Sequence, residues 1–260
     1  MTPPADAGST RIDLTTLELD YAGFQALALN PDLSDHEKIG FPPAYREGFE
    51  TAIWADIMAK LPMLAEAENC RIADIGPGCT ALPKMLIDLC RDRGHTLVLV
   101  DNPEMLALLP DVDGVTTKCS GLYPKNVQAV REALGGPADA ILCYSVLHHI
   151  YLDSNPFDFI DCTTDLLAPA GRALIGDIPN HSKRYRLFAT ERGQKFHREF
   201  TGLDTRYEVA HDVPRGKIDD AVLNGLIQRA QARGCDAYLL PQGPALPMAN
   251  RRDDLLLVRP

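Results

Sequence analysis

The sequence predicts an α/β fold: a doubly wound sandwich built on a mostly parallel seven-stranded sheet that ends in an antiparallel hairpin. Three observations carry this. Short apolar runs alternate with helical patterns from residue 71 onward, the order that lays parallel strands beneath crossover helices. Two of the runs, "TLVLV" and "AILCYSVL", are apolar without alternation, as strands covered on both faces are. The last two, "CDAYLLPQ" and "RDDLLLVRP", are joined by the short "GPALPMANR", too brief for a crossover, so they must pair antiparallel.

Taken in order, residues 1 to 43 show little periodicity, and "LNPDLSDHEKIGFPP" reads as an ordered loop because of its turn formers and prolines. From Ala44 the pattern turns helical: Phe49, Ile53, Trp54, Ile57, Met58 and Leu61 recur on one face, and Pro62 marks the end. That stripe reads as core. "RIADIG" is the first strand, 80 to 93 a helix stopped by Gly94, "TLVLVD" the second strand, 103 to 109 a short helix, and "GVTTKCS" the third strand. "PKNVQAVREALGG" follows as a helix with proline at its start and glycine at its end. "DAILCYSVL" is the fourth strand, 155 to 168 a helix, and "RALIGDI" the fifth strand. Residues of about 179–216 are too polar, basic and aromatic for an ordinary connection, so they form an insertion with short helices of its own. "KIDDAVLNGLIQRAQARG" is a helix closed by Gly234. The expected organisation is a loop and helix over 1–66 that cap the site, then one domain over 67–260.

The 260 residues include 45% hydrophobic side chains and no apolar run near the ~18–20 residues that span a bilayer. The start, "MTPPADAGSTRIDL", has neither the basic nor the apolar region of a secretory signal, so a cytoplasmic location is expected. Seven cysteines without a C-x-x-C pair suggest neither a disulfide framework nor a zinc ribbon. A formal charge of -10 argues against binding by neutralised phosphate backbones. The expected partners are therefore small molecules, with no nucleic acid and no membrane, and the chain is expected to act as a monomer or homodimer. The one basic run, "HSKRYRLFATERGQKFHREF", is either a solvated face or a site for an anionic substrate.

Gly76 and Gly78, after the first strand, allow a tight turn and a close approach to a ligand, and the following helix start offers amide donors. Gly76-x-Gly78-x-x-Ala81 also fits a dinucleotide fingerprint, with Asp101 placed for a ribose hydroxyl. An NAD(P)-dependent oxidoreductase is thus one reading. Asp74, two residues before Gly76, suits a cationic amine better than a pyrophosphate. The second half also lacks another mononucleotide unit, and the final hairpin does not belong to a six-stranded parallel dinucleotide fold.

"ADIGPGCT" resembles the first motif (D/E-x-G-x-G-x-G) of class I S-adenosylmethionine-dependent methyltransferases. "LVDN" is similar to their second-strand end, "ADAILCYSVLHHI" to their fourth-strand motif, and "LLAPAGRALIGDIP" to their fifth-strand region. The resemblance covers about residues 70 to 178, and Thr80 departs from it by standing at the third glycine. It implies a Rossmann-like methyltransferase fold and the cofactor S-adenosyl-L-methionine, released as S-adenosyl-L-homocysteine. It also implies that Asp74 holds the methionine amino group, that Gly76, Gly78, Cys79 and Thr80 form the cofactor loop, and that Asp101 and Asn102 hold the adenosine. Ser120 and Gly121 would lie near the adenine, and Tyr144 and Ser145 beside the methyl group. A noncatalytic adenosyl-ligand-binding partner protein would keep the same loop.

A hydroxyl or ammonium acceptor must lose a proton, and His148 and His149, read as following directly on the fourth strand, are the candidates for a base. With Asp153 they lack a third well-spaced ligand, so no metal is expected. Candidate acceptor contacts are His36, Tyr45 and Arg46 in the N-terminal part and His181, Tyr185, Arg186 and Arg198 in the insertion. "CYSV" replaces the Asn/Asp-Pro-Pro-Tyr of base-amine methylation, and no Pro-Cys pair serves cytosine chemistry. "DHEKIGFPPAYREG" and the C-terminal stretch are similar to methyltransferases of bacterial polysaccharide and secondary-metabolite clusters. This resemblance implies transfer to oxygen or nitrogen of a sugar, an activated sugar or a natural-product intermediate.

Overall fold

The computed structural model describes residues 19–41, 46–208, 210 and 212–260. Seven strands form one sheet in the order β3-β2-β1-β4-β5-β7-β6: β1 (Arg71–Ile75), β2 (Thr96–Asp101), β3 (Thr116–Ser120), β4 (Ala138–Tyr144), β5 (Leu167–Pro179), β6 (Asp236–Pro241) and β7 (Arg252–Val258). The strands β1 to β5 pair in parallel, and β7 runs antiparallel between β5 and β6. The expected hairpin is therefore present, and its second strand is the one inserted into the sheet. The order reverses between β1 and β4, which opens a crevice beyond their carboxyl ends.

Alternation along the strands divides the core between two faces. Ala73 and Ile75 of β1 and Ile141 and Cys143 of β4 pack beneath α7 (Val127–Leu134), α9 (Pro156–Leu166) and α12 (Asp220–Ala232). Ile72, Ala140 and Leu142 face the other way, under α3 (Glu50–Lys60), α4 (Met63–Glu66) and α5 (Ala81–Arg93). Ile72, Leu86, Leu99 and Ile141 are each 0–1% exposed, and full burial of such a side chain contributes ~1.5–3 kcal/mol. Asp74 continues the row of Ile72, with Leu99 and Leu142 as its cross-strand neighbours. A carboxylate thus stands where the pattern calls for an apolar residue.

Several elements differ from the sequence reading. The N-terminal segment contains two helices, α1 (Tyr21–Leu29) and α2 (Asp35–Lys38). Asp20 caps the first through Gly23 N, and a Ser34–Glu37 capping box holds the second, so local side-chain bonds make helix where hydrophobic periodicity is too short to show it. The next helix starts at Glu50, not Ala44. The strand β4 stops at Tyr144 because Ser145 turns left-handed at φ 64°, and the residues read as its end begin α8 (Leu147–Asp153). A short α6 (Pro103–Leu106) follows β2, and the insertion carries α10 (His181–Phe188) and α11 (Glu191–Thr201). Among the described residues, no helix is long and apolar enough to cross a membrane.

Candidate active site

The chain passes from β1 to α5 through a turn in which Gly76 and Gly78 have φ of 69° and 68°. Gly76 N donates to Val100 O at 2.8 Å, tying the turn to β2. A β-carbon on Gly78 would lie 2.7 Å from Cγ2 of Ile39, so the missing side chain is what lets the N-terminal segment lie down on the turn. Thr80 is the N-cap of α5 and makes no side-chain capping bond.

Around this turn opens a cavity of about 1190 Å³, counting its mouth, bounded by Asp74, Asp101, Arg46, Trp54, Tyr144 and His149 among others. Tyr21 and Phe24 of α1, together with Ile39 and Phe41, roof it. A second wall is the face of α8 formed by His149, Ile150 and Asp153, preceded by Val146. That spacing is one side of a helix.

Two carboxylates face the space. Asp74 is 3% exposed, and burial together with the charge of Asp101 pushes its carboxyl up to about 8. Asp101 is pushed up to about 6 by burial, against hydrogen bonds from the Asn102 and Gly78 amides. Those amides donate to it at 2.7 and 3.4 Å. Asn102 in turn caps α6 through Met105 N at 2.7 Å. Two buried acids side by side raise each other's proton affinity, and a cationic ligand relieves both.

On the far side lies a buried ionic network. Arg46 Nη2 donates to Ser145 Oγ at 2.7 Å and to Asp177 Oδ2 at 3.2 Å. Arg252 Nη1 donates to the same Oδ2 at 2.7 Å, and Ser145 Oγ donates to it as well. Gln242 links Asp177 to Asp254, which Lys60 neutralises at 2.5 Å. Ser145 and Asp177 both have left-handed backbones, φ 64° and 58°, strain of the kind that surrounding bonds must hold in place. The Arg46 guanidinium lies 4.7 Å from the Phe41 ring centroid and 5.3 Å from that of Tyr144.

No protein-family model and no curated protein matches the chain. Solved structures match its fold. The plantazolicin methyltransferase BamL, in complex with a triazolic desmethylPZN analogue and SAH, has a TM-score of 0.55 at 11% identity, over 91% of this chain and 96% of that one. A DUF574 family protein from Streptomyces avermitilis gives 0.54 at 14% identity, over 91% and 95%. The N-methyltransferase NodS from Bradyrhizobium japonicum, in complex with SAH, gives 0.50 at 14%, over 92% and 98%. An O-methyltransferase family protein from Burkholderia thailandensis gives 0.47 at 17% over 82% of this chain, which spans 59% of that protein.

The chain has the Rossmann-like methyltransferase fold.

Within that fold the sequence-derived candidates separate. Asp74, Gly76, Gly78, Thr80, Asp101, Asn102, Gly121, Tyr144, Ser145, His149 and Arg46 all line the cavity. Cys79 does not: its thiol is buried with Ala28 and Met105 under the N-terminal segment, with Sγ 3.6 Å from Asp35 O. Ser120 is exposed at the end of β3, and only its neighbour Gly121 reaches the wall. His148 also lies off the wall, its ring 4.0 Å from that of His149. The two histidines share the first turn of α8 rather than alternating on an extended segment.

His149 makes an edge contact with Phe24 and a hydrogen bond with the Leu19 backbone, leaving Nδ1 buried and unpartnered. Burial, with the charge of Arg252 and against that hydrogen bond, lowers its pKa to about 4, so the ring is neutral at pH 7. His148 is driven well below the usual histidine range by burial first, then by His149 and nearby cations.

Apart from Arg46, the expected acceptor contacts that the structure describes lie off the cavity wall. His36 Nε2 pairs with Glu50 at 2.7 Å, His181 Nε2 lies 3.2 Å from Ala210 O, Arg186 pairs with Asp220 at 2.5 Å, and Arg198 with Asp204 at 3.9 Å. Tyr185 sits on α10, off the wall. Tyr45 lies outside the described residues. No described residue of the 179–216 insertion lines the cavity; Lys183, Arg186, Lys195 and Arg198 are held in ion pairs with Asp253, Asp220, Glu199 and Asp204.

Proposed function

We propose that the protein is an S-adenosylmethionine-dependent methyltransferase acting on oxygen or nitrogen of a small metabolite, a sugar, activated sugar or natural-product intermediate. The observation that carries this reading is the pairing of Asp74 with Asp101 on one cavity at the β1–β4 switch point. Asp101 ends β2 facing the glycine turn, where a ribose diol would bond it. Asp74, buried without a cationic neighbour, fits an ammonium group. A pyrophosphate, itself anionic, would offer that buried acid no counter-charge.

When bound, the cofactor supplies an electrophilic methyl on a sulfonium and is left as a thioether. The chain's part is to hold, align and desolvate. Tyr21, Phe24, Ile39 and Phe41 roof the cavity and exclude water. The acceptor's heteroatom forms the new bond to carbon, and its proton goes to a base. His149 is the candidate: with the Leu19 backbone bonded to one ring nitrogen, Nδ1 is left to accept.

The test is a thermal-shift and calorimetric titration of the purified protein with S-adenosylmethionine, S-adenosylhomocysteine, NAD and NADP, since a ligand bound to the native state raises its stability. Stabilisation by the adenosyl sulfur compounds alone is expected, followed by turnover in an acceptor screen. Stabilisation by the nicotinamide dinucleotides alone overturns the reading. Adenosyl binding with no turnover on any acceptor leaves a noncatalytic binding protein.

A further inference from the structure

The cavity walls are acidic except at one place. Asp20, Asp74, Asp101 and Asp153 contribute carboxylates, and Arg46 is the one lysine or arginine among the described lining residues. Arg46 is 6% exposed, and its hydrogen bonds to Ser145 and Asp177 both leave from Nη2. Its counter-ion is shared, because Asp177 Oδ2 serves both Arg46 and Arg252. Two buried guanidinium groups against one carboxylate leave the cavity end of this network with positive charge to spare. The reverse holds further out, where Lys60 stands between Asp56 and Asp254.

Two further groups at the cavity have nothing to bond. Asp74 is 3% exposed and has no cation beside it among the described residues. Tyr144, 9% exposed, keeps a buried hydroxyl without a partner, and its ring packs by Arg46. Buried polar groups are normally satisfied. A cation with surplus charge on one side of the cavity and an uncompensated carboxylate on the other match a ligand carrying both signs a few bonds apart. An α-amino-acid head group has that chemistry.

We propose that Arg46 grips the carboxylate of the cofactor's amino-acid end, opposite Asp74, and is not a contact for the methyl acceptor. The inference rests on the methyltransferase reading. It gives the network of Ser145, Asp177 and Arg252 a task as well. These residues fix the guanidinium from Nη2, so that its other nitrogens meet the ligand at little further entropic cost. Ser145 and Asp177 act here as positioning residues.

The experiment is calorimetric titration of the full chain with S-adenosylhomocysteine and with its decarboxylated analogue, which keeps the ammonium and loses the carboxylate. Wild-type protein should bind the analogue about 10–100-fold more weakly, the range of a charge-assisted bidentate contact. Arg46→Met should weaken S-adenosylhomocysteine by a similar factor, leave the analogue within about twofold, and so abolish the discrimination. Arg46→Lys, which keeps the charge and the ion pair to Asp177, should keep part of it and serves if the methionine variant fails to fold. Equal wild-type affinity for the two ligands would place the carboxylate on the acceptor and overturn the proposal. So would a methionine variant that weakens both ligands equally. Failure of wild-type protein to bind either compound sinks the methyltransferase reading itself.

Discussion

Val146 stands over Gly76: a β-carbon on Gly76 would lie 2.5 Å from Cγ2 and 3.1 Å from Cγ1 of Val146. The residue that opens the way into α8 thus packs on the turn that follows β1, and Gly76 also sits at φ 69°. Gly76→Ala should cost about 2–4 kcal/mol from overpacking and backbone strain together. Adding Val146→Ala should return the packing share and leave the strain. Urea unfolding of the two variants measures both parts, and a Gly76→Ala loss under about 0.5 kcal/mol would mean that the turn is looser than described.

Asp74 makes the ligand-free protein sensitive to pH. Its folded pKa, about 8 against 3.8, is raised by burial and by Asp101. The protonated form therefore stabilises the fold fully below about 4, and this contribution is lost as pH rises toward 8. Asp74→Asn should flatten that slope and stabilise the unliganded protein at pH 8 by about 1–3 kcal/mol, while abolishing the gain from S-adenosylhomocysteine. Wild-type protein should release a proton on binding an ammonium-bearing ligand near pH 7, seen as a binding enthalpy that varies with the buffer. An enthalpy independent of buffer would show Asp74 already ionised.

His149→Gln should lower kcat about 100-fold, within the range of general-base contributions, with S-adenosylhomocysteine affinity within about threefold. His148→Ala should have little effect on kcat, since that ring is off the cavity wall. With the pKa of His149 lowered to about 4 by burial, the ring stays unprotonated, and so available as an acceptor, throughout the neutral range. The acid limb of the rate profile should fall near pH 4 and not near 6.5. Unchanged turnover in the glutamine variant would remove His149 from the proton transfer.

The strands and the glycine turn were legible because "RIADIG" and "TLVLVD" carry their own pattern: apolar runs, a breaker, an acid at the edge. The cavity residues around the turn, Asp74, Gly76, Gly78 and Asp101, followed from position along those strands. The far wall of the cavity was not legible in the same way. Ser145 ends β4 in a left-handed turn without a glycine to announce it, so "SVLHHI" passed for strand. The pairing of residues far apart leaves no local trace either: Arg46 meets Asp177 across 131 positions. One signal was present and unread. Arg252, Asp253 and Asp254 open an otherwise apolar strand, and charge placed at a buried position needs a partner. Arg186 and Arg198 misled for the opposite reason, since a basic run says nothing of the acids the fold brings beside it.

The antiparallel run of β7 has a consequence for how the protein is made. Because that strand enters the sheet from the far end, its first residues reach the carboxyl edge of β5, where Arg252 and Asp254 complete the network begun by Arg46 and Lys60. The tie from Lys60 to Asp254 spans 194 positions. A nascent chain can settle β1 to β5 as they emerge from the ribosome. Arg46 can meet Ser145 and Asp177 at that stage, but Arg252, which shares Asp177, and Asp254, the partner of Lys60, arrive only with the seventh strand. The charge balance of the network is therefore set late, and a chain stalled before residue 252 would leave Lys60 without Asp254 and Asp177 with a single guanidinium.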